Sequence, residues 1–511
     1  MQYARRSRRL LGALAAVAAM TAGTLQVVTT APAHAAGPAD HVDYWNDVLI
    51  NTFRRTVDVG PGPLARSAAI MYVSMYDAAN SVLCAQRTAD CLGQPYALKV
   101  NSGGDFNSGG DFNTALDYAA HDALVGVFGP NAIFDQALQD AQVDIPASAQ
   151  QAAGQSAGQQ TAAAMLARRA GDHSGDPMTY TPDTAPGAWR PAGPSGPVVT
   201  PNWGNVTPFT MTSGSQFRPD LPGGVTTYAQ LLASQEYTEQ FNEVKAYGAT
   251  NSTIRSQDQT QAAFFWANDV NGTYKPPGQL LSHTQIVADA QQVPVTSKVK
   301  LFAQVSVGLA DAAILAWDRK FLGSIDLWRP DQAIHAAAGD GNPDTDPDTS
   351  WQPLSIDRNG NHFSPPFPAF VSGHATFAYT WAHVMAHWFG RDNVAFTGTT
   401  DDPHATGVTR RFSGFSAAAD ENAHSRLWLG VHWHFDADSV LNPGNELGEW
   451  AVDNAMYYNR SSTELLYLHR TGVTNRNECD NTGRQLSNEH RWEFYRCVHS
   501  NNRTVYDLYV R

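Results

Sequence analysis

At 511 residues, 42% of them hydrophobic and 16% charged, the chain is long enough to bury one large core or two fused ones, and too apolar to stay disordered. Its formal charge of −14 becomes −18 once the four arginines of the first 35 residues are set aside, which argues against nucleic acid or anionic membrane as partners. Basic clusters on such a chain are local exceptions, and they mark where an anion is held.

Residues 1–35 carry four arginines and no acid, then an apolar run from Leu10 to Met20, and end in Ala33-His34-Ala35 before Ala36. This is the pattern of a cleaved signal peptide, and Ser7-Arg8-Arg9-Leu10-Leu11 gives it a twin-arginine character. The apolar run falls short of the roughly 20 residues a bilayer span needs, so the expectation is a secreted, extracellular protein with no membrane anchor after processing.

Residues 36–240 read as an N-terminal helical region. Alanine-rich stretches at 42–90 and 114–170 place apolar residues at helical spacing, as in Ala68, Ile70, Met71, Met75 and Ala78. The hexapeptide Asn-Ser-Gly-Gly-Asp-Phe at 101–106 repeats at 107–112 and reads as a flexible loop. From about 175 to 224 the chain is rich in Pro, Gly, Thr and Ser, which predicts a long ordered crossover on the surface. Helical spacing returns at 228–246, 258–267, 298–321, 374–389 and 416–429, and no stretch alternates convincingly as a strand would. The fold class expected is all-α, with helical bundles and long connecting loops; 241–465 form a C-terminal helical region and 466–511 a tail.

Four cysteines fall as two close pairs, Cys84 with Cys91 and Cys479 with Cys497. In an exported protein these favour two local disulfides over the other two pairings, and the absence of a CxxC spacing weakens a metal site.

Three basic clusters follow in order: Trp328-Arg329-Pro330, Ser372-Gly373-His374, and Ser425-Arg426 with His432 and Asp436. Two guanidinium forks neutralise a tetrahedral oxyanion through paired hydrogen bonds. The periodic run after His374 (Phe377, Trp381, Val384, Met385, Trp388) puts Ser372-Gly373-His374 at a helix N-terminus, where free N–H groups favour an anion. Taken alone, that triplet also fits an ordinary capping serine beside an exposed histidine. Arg426 and His432 stand roughly 240° apart on a continuous helix, so sharing a site requires a bend, and Gly430 is placed to make it. Asp436 then stands one turn beyond His432, where a carboxylate fixes an imidazole tautomer.

In this order the clusters resemble the signature of vanadium-dependent haloperoxidases and type 2 phosphatidic acid phosphatases. Longer stretches are similar to bacterial haloperoxidases in particular: Ala65-Arg66 with Tyr76-Asp77-Ala78-Ala79-Asn80, Trp203-Gly204 with Gln216-Phe217-Arg218-Pro219, and Phe265-Trp266. The resemblance spans most of 42–460. It implies two four-helix-bundle-like halves and a vanadate cofactor, bound through His432 (the vanadium ligand) and held by Lys320, Arg329, Ser372, Gly373 and Arg426. His374 would be the acid–base group, and His374, Lys320 and His432 the catalytic set. Trp317 and Phe367 would face the halide and Asp436 would support His432. The implied reaction oxidises bromide or chloride with hydrogen peroxide to a hypohalous acid or bound halonium equivalent, which halogenates an organic acceptor. Phe367 leans toward chloride.

Lys320 precedes Arg329 by nine positions where the family has seven or eight, which a short insertion around Gly323-Ser324 would absorb. Two other readings stay open: a secreted acid phosphatase using a phosphohistidine, and a non-redox homologue that binds an oxyanion or rearranges an organic substrate. His383 and His387, at i and i+4, and Asp344, Asp346 and Asp348 imitate zinc and calcium patterns, but each lacks the partners such a site needs. An apolar face on the N-terminal helices leaves room for a homodimer.

Overall fold

Helices dominate because apolar residues recur every three or four positions and capping side chains stand at their starts. The computed structural model describes residues 36–86, 91–100, 111–177, 179–192, 196–457, 467–473, 475–488, 495–499 and 506–510. The signal peptide and nearly all of the hexapeptide repeat lie outside the described residues.

The N-terminal helices are α1 (His41–Arg55), α2 (Pro61–Gln86), α3 (Phe112–Phe128), α4 (Ala132–Gln142) and α5 (Ala149–Arg169). Asp40, Asp111, Asn131 and Ser148 cap α1, α3, α4 and α5 with side-chain oxygens that accept free backbone N–H groups. The backbones of α3 and α5 approach closely at Gly154 and Gly158, where an added Cβ would lie 2.4 Å from the Asp111 carbonyl and 2.6 Å from that of Ala115.

Past the crossover come α6 (Tyr228–Leu232), α7 (Gln235–Tyr247), α8 (Gln257–Ala267), α9 (Lys275–Ala290), α10 (Val295–Phe321) and α11 (Pro330–Ala336). They are followed by α12 (Gly373–Phe389), α13 (Phe415–Trp428), α14 (His434–Asp438), α15 (Leu441–Asn454) and, in the tail, α16 (Arg476–Asn488). By length and composition α10 could cross a bilayer, yet its apolar window is fully buried, packed against α2 on one side and α12 and α15 on another. One hydrophobic core therefore runs unbroken from Val42 to Met456. A small satellite of Ala263, Ala267, Leu354, Leu429 and Val431 lies beside it.

The structure departs from expectation in three places. The crossover is not merely superficial: Trp203, Val206, Phe209 and Met211 are buried. Asp311, inside α10, accepts from the N–H groups of Phe209 (2.6 Å), Thr210 (2.7 Å) and Met211 (3.0 Å), and from Thr210 Oγ1 (2.6 Å). Helix α9, absent from the helical stretches expected from sequence, carries Pro276-Pro277-Gly278 at its start; prolines in a first helical turn lose no hydrogen bond, because those N–H groups have no partner in the helix. Five short strands also form. Strands β1 (Phe396–Thr399) and β2 (Thr409–Phe412) pair antiparallel, and the tail holds an antiparallel sheet of β3 (Tyr467–Val473), β4 (Tyr495–His499) and β5 (Tyr506–Val510), in the order β3-β5-β4. Four of the five run only four or five residues, which leaves alternation little length in which to show. Both expected disulfides, Cys84–Cys91 and Cys479–Cys497, are formed.

Candidate active site

The three clusters meet at the start of α12. Ser372 is its N-cap, its Oγ accepting from Ala375 N–H at 3.3 Å, and its own N–H donates to the Asp436 carbonyl at 2.8 Å. Gly373 lets Trp317 approach, since a Cβ there would stand 3.3 Å from the indole. Helix α13 ends as expected at Gly430, whose φ of +78° suits glycine and turns the chain away. His432 does not itself begin the next helix: α14 starts two residues later, with Trp433 as its N-cap. The Asp436 carboxylate still reaches back, 2.7 Å from His432 Nδ1 and 3.0 Å from the Trp433 N–H. A carboxylate accepts, so Nδ1 carries the proton and Nε2 presents a lone pair.

Arg329 is fully buried, with Nε donating to the Phe367 carbonyl (2.9 Å) and Nη1 to that of Val431 (2.6 Å); Nη1 also lies 2.9 Å from His432 Nε2. Arg426, in the last turn of α13, donates through Nη2 to Asp269 Oδ2 at 2.6 Å. Among the described residues, three buried guanidinium nitrogens have no hydrogen-bond partner: Arg329 Nη2, and Arg426 Nε and Nη1. Orphaned charged donors are rare because each forfeits its hydration without return, so three in one pocket mark a place built to receive acceptors.

Lys320 enters the same cluster from the last turn of α10, fully buried. Two of its three N–H donors go to the carbonyls of Pro368 (2.7 Å) and Ala369 (2.9 Å), leaving one. The Phe367 ring lies between cations, 5.1 Å from Lys320 Nζ and 4.9 Å from the Arg329 guanidinium carbon, and packs on Trp317 with centroids 4.9 Å apart.

His374 Nε2 lies 2.9 Å from the Ala267 carbonyl. The neutral ring therefore carries its proton there and keeps Nδ1 as a base. Burial, then the charge of Arg426, pushes His374 down to about 4, against the opposing pull of Asp269. Burial followed by Arg329 and Lys320 holds His432 well below the usual imidazole range, so it is neutral and able to ligate. Lys320 is likewise held well below the usual amine range by burial and then Arg329, whereas burial raises Asp436 to about 7. Burial thus favours the neutral forms of Lys320 and Asp436, and the guanidiniums of Arg329 and Arg426 supply the positive charge that favours an anion.

Every site residue expected from sequence is brought into this one region. Two contributors were not foreseen: Asp269, which holds Arg426, and the Ala267 carbonyl, which orients His374. Arg426 lies 157 positions from Asp269, and no motif joins them. Two residues of the metal-like patterns have other partners. His387 Nδ1 lies 2.8 Å from Arg476 Nη2, while Asp348 Oδ1 accepts from the N–H (2.9 Å) and hydroxyl (2.7 Å) of Ser350.

Residues 300–461, which hold all three clusters, match the family model of the VCPO second helical-bundle domain. Vanadium chloroperoxidase of Curvularia inaequalis is 30% identical over 323 residues, 52% of this chain and 52% of that protein. The chain thus spans about half the length of that relative. The structure of the first bacterial vanadium-dependent iodoperoxidase superposes with a TM-score of 0.67 at 21% identity, covering 84% of this chain and 100% of the other. A holo-type bacterial vanadium-dependent chloroperoxidase superposes with a TM-score of 0.60 at 15% identity, covering 77% of this chain and 92% of the other. The fold is that of the vanadium haloperoxidases.

Proposed function

We propose that this chain is a vanadate-dependent haloperoxidase, which uses hydrogen peroxide to oxidise bromide or chloride to a hypohalous acid or bound halonium equivalent that halogenates an organic acceptor. The observation that carries this reading is that three guanidinium nitrogens without a partner among the described residues, the N-terminus of α12 and a His432 Nε2 lone pair engaged only by Arg329 Nη1 are buried in one region. That donor set fits a tetrahedral oxyanion. When bound, vanadate would supply a Lewis-acidic centre that accepts peroxide and polarises it without changing oxidation state.

His432 Nε2 would hold the central atom, with Asp436 keeping its ring in the competent tautomer. Arg329 and Arg426, together with Ser372 Oγ and the Gly373 N–H, would hold and neutralise the oxygens. The remaining N–H of Lys320 would donate to peroxide oxygen and stabilise the negative charge that develops as peroxide is polarised toward halide. His374 takes a proton from incoming peroxide at Nδ1. An anion between the guanidiniums cancels the repulsion from Arg426 and Arg329, and so raises this base toward the working pH. Trp317 and Phe367 wall the halide side with apolar surface. The two disulfides support the reading that the chain is exported to an oxidising compartment.

The test is halogenation of monochlorodimedone by purified protein with peroxide and iodide, bromide or chloride, before and after loading with orthovanadate. Vanadate-dependent turnover is expected; its absence with all three halides would sink the proposal. Vanadate-inhibited hydrolysis of a phosphomonoester would install the phosphatase reading in its place.

A further inference from the structure

The acid–base histidine and one anion-binding arginine are both held by a single short segment, residues 267–269. The Ala267 carbonyl accepts from His374 Nε2 at 2.9 Å, and Asp269 Oδ2 accepts from Arg426 Nη2 at 2.6 Å. Between them stands Asn268, the C-cap of α8, with left-handed φ/ψ of 43° and 28°. That conformation is uncommon outside glycine, and asparagine is among the side chains that tolerate it. It reverses the chain, so the carbonyl before it and the carboxylate after it serve two different elements, α12 and α13.

Asn268 is fully buried and wired on every side. Its Nδ2 donates to the Phe265 carbonyl (3.2 Å), Gln279 Oε1 (2.9 Å) and Thr400 Oγ1 (3.2 Å), and its Oδ1 accepts from Asp401 N–H (3.2 Å). Its own N–H donates to Asp402 Oδ2 (3.1 Å), and its carbonyl accepts from Thr273 Oγ1 (2.9 Å). These partners come from α8, α9, the turn before α9 and the loop after β1. A residue needed only to end a helix requires none of them; glycine would serve.

Resting on the oxyanion reading above, we propose that Asn268 is a positioning residue: its side-chain amide locks the 267–269 turn so that His374 and Arg426 are oriented toward the anion together. A network that fixes one backbone turn orients both groups at the cost of one ordered residue, and it couples them.

The experiment uses the full chain without cofactor. Asn268→Gly keeps the left-handed backbone accessible and deletes the amide, while Thr400→Val removes one acceptor at nearly constant shape. Two quantities are read, neither requiring turnover: the affinity for orthovanadate and for inorganic phosphate by calorimetry, and the His374 tautomer by ¹⁵N NMR, assigned with His374→Gln. In Asn268→Gly both anions should bind at least about tenfold more weakly, and the single Nε2–H tautomer should give way to a mixture. Thr400→Val should move both in the same direction by less. A folded Asn268→Gly that keeps wild-type affinity, or loses affinity with the tautomer unchanged, overturns the proposal. Should that variant fail to fold, a Thr400→Val protein unchanged in both readings overturns it. A wild-type protein that oxidises no halide defeats the proposed function and leaves these two measurements intact.

Discussion

Two buried charged sites among the packed helices behave oppositely. At Asp311, midway along α10, both carboxylate oxygens are taken up by three backbone N–H groups and a hydroxyl of the crossover. At the start of α12, Arg329 and Arg426 are equally buried, yet three of their nitrogens have no partner among the described residues. Burial and charge alone therefore do not distinguish a functional group from a structural one. Satisfaction does: a saturated buried charge holds the fold together, and an under-satisfied one has been left with binding capacity.

The largest effect expected from this contrast is on stability at the saturated site. Asp311→Ala strands its backbone donors away from water and should destabilise the protein by about 4 kcal/mol in chemical denaturation, since hydrogen bonds to a buried charge are worth roughly 1.5–3 kcal/mol each. A loss below about 1 kcal/mol would break the comparison. Next is Lys320→Ala, which should lower peroxide-dependent turnover by about 100-fold while leaving orthovanadate affinity within about threefold, as expected for a donor that acts on developing charge. If steady-state kinetics and calorimetry show neither quantity moving, Lys320 has no part in the site.

Asp436→Asn should weaken oxyanion binding about tenfold or more, because the amide no longer dictates the His432 tautomer; calorimetry with phosphate checks this. The smallest effect is in pH linkage. His374 is depressed to about 4 in the fold from an ordinary 6.5, so between those values the unfolded chain holds more protons than the folded one. Its contribution to stability is present above pH 6.5 and is lost as pH falls through 4. In the cofactor-free protein, His374→Gln should flatten the stability curve over that window by up to about 1.4 kcal/mol per pH unit. An unchanged slope would show that His374 is not the depressed group.

The helix pattern, the long α10 and the stop at Gly430 were readable because each depends on a few adjacent residues: spacing of apolar side chains, or a glycine free to adopt positive φ. The disulfides were readable for the same reason, with 7 and 18 positions between partners. What escaped was set elsewhere. Helix α9 is absent from the expected stretches, and its prolines are tolerated because a proline's cost depends on its place in the helix. The crossover looked superficial because its composition is that of a loop, and only Asp311, some 100 positions away, explains why its backbone can be buried.

The order of the three basic clusters, by itself, pointed to an oxyanion site, named the residues proposed to form it, and placed Asp436 behind His432. These are statements about residue type and local spacing. Only the tertiary structure decided which donors remain free, that Lys320 spends two of its three on the Pro368 and Ala369 carbonyls, and that Asp269 and the Ala267 carbonyl aim Arg426 and His374. The reason is physical: whether a polar atom is satisfied depends on every group within hydrogen-bond reach, and those groups arrive from remote parts of the chain.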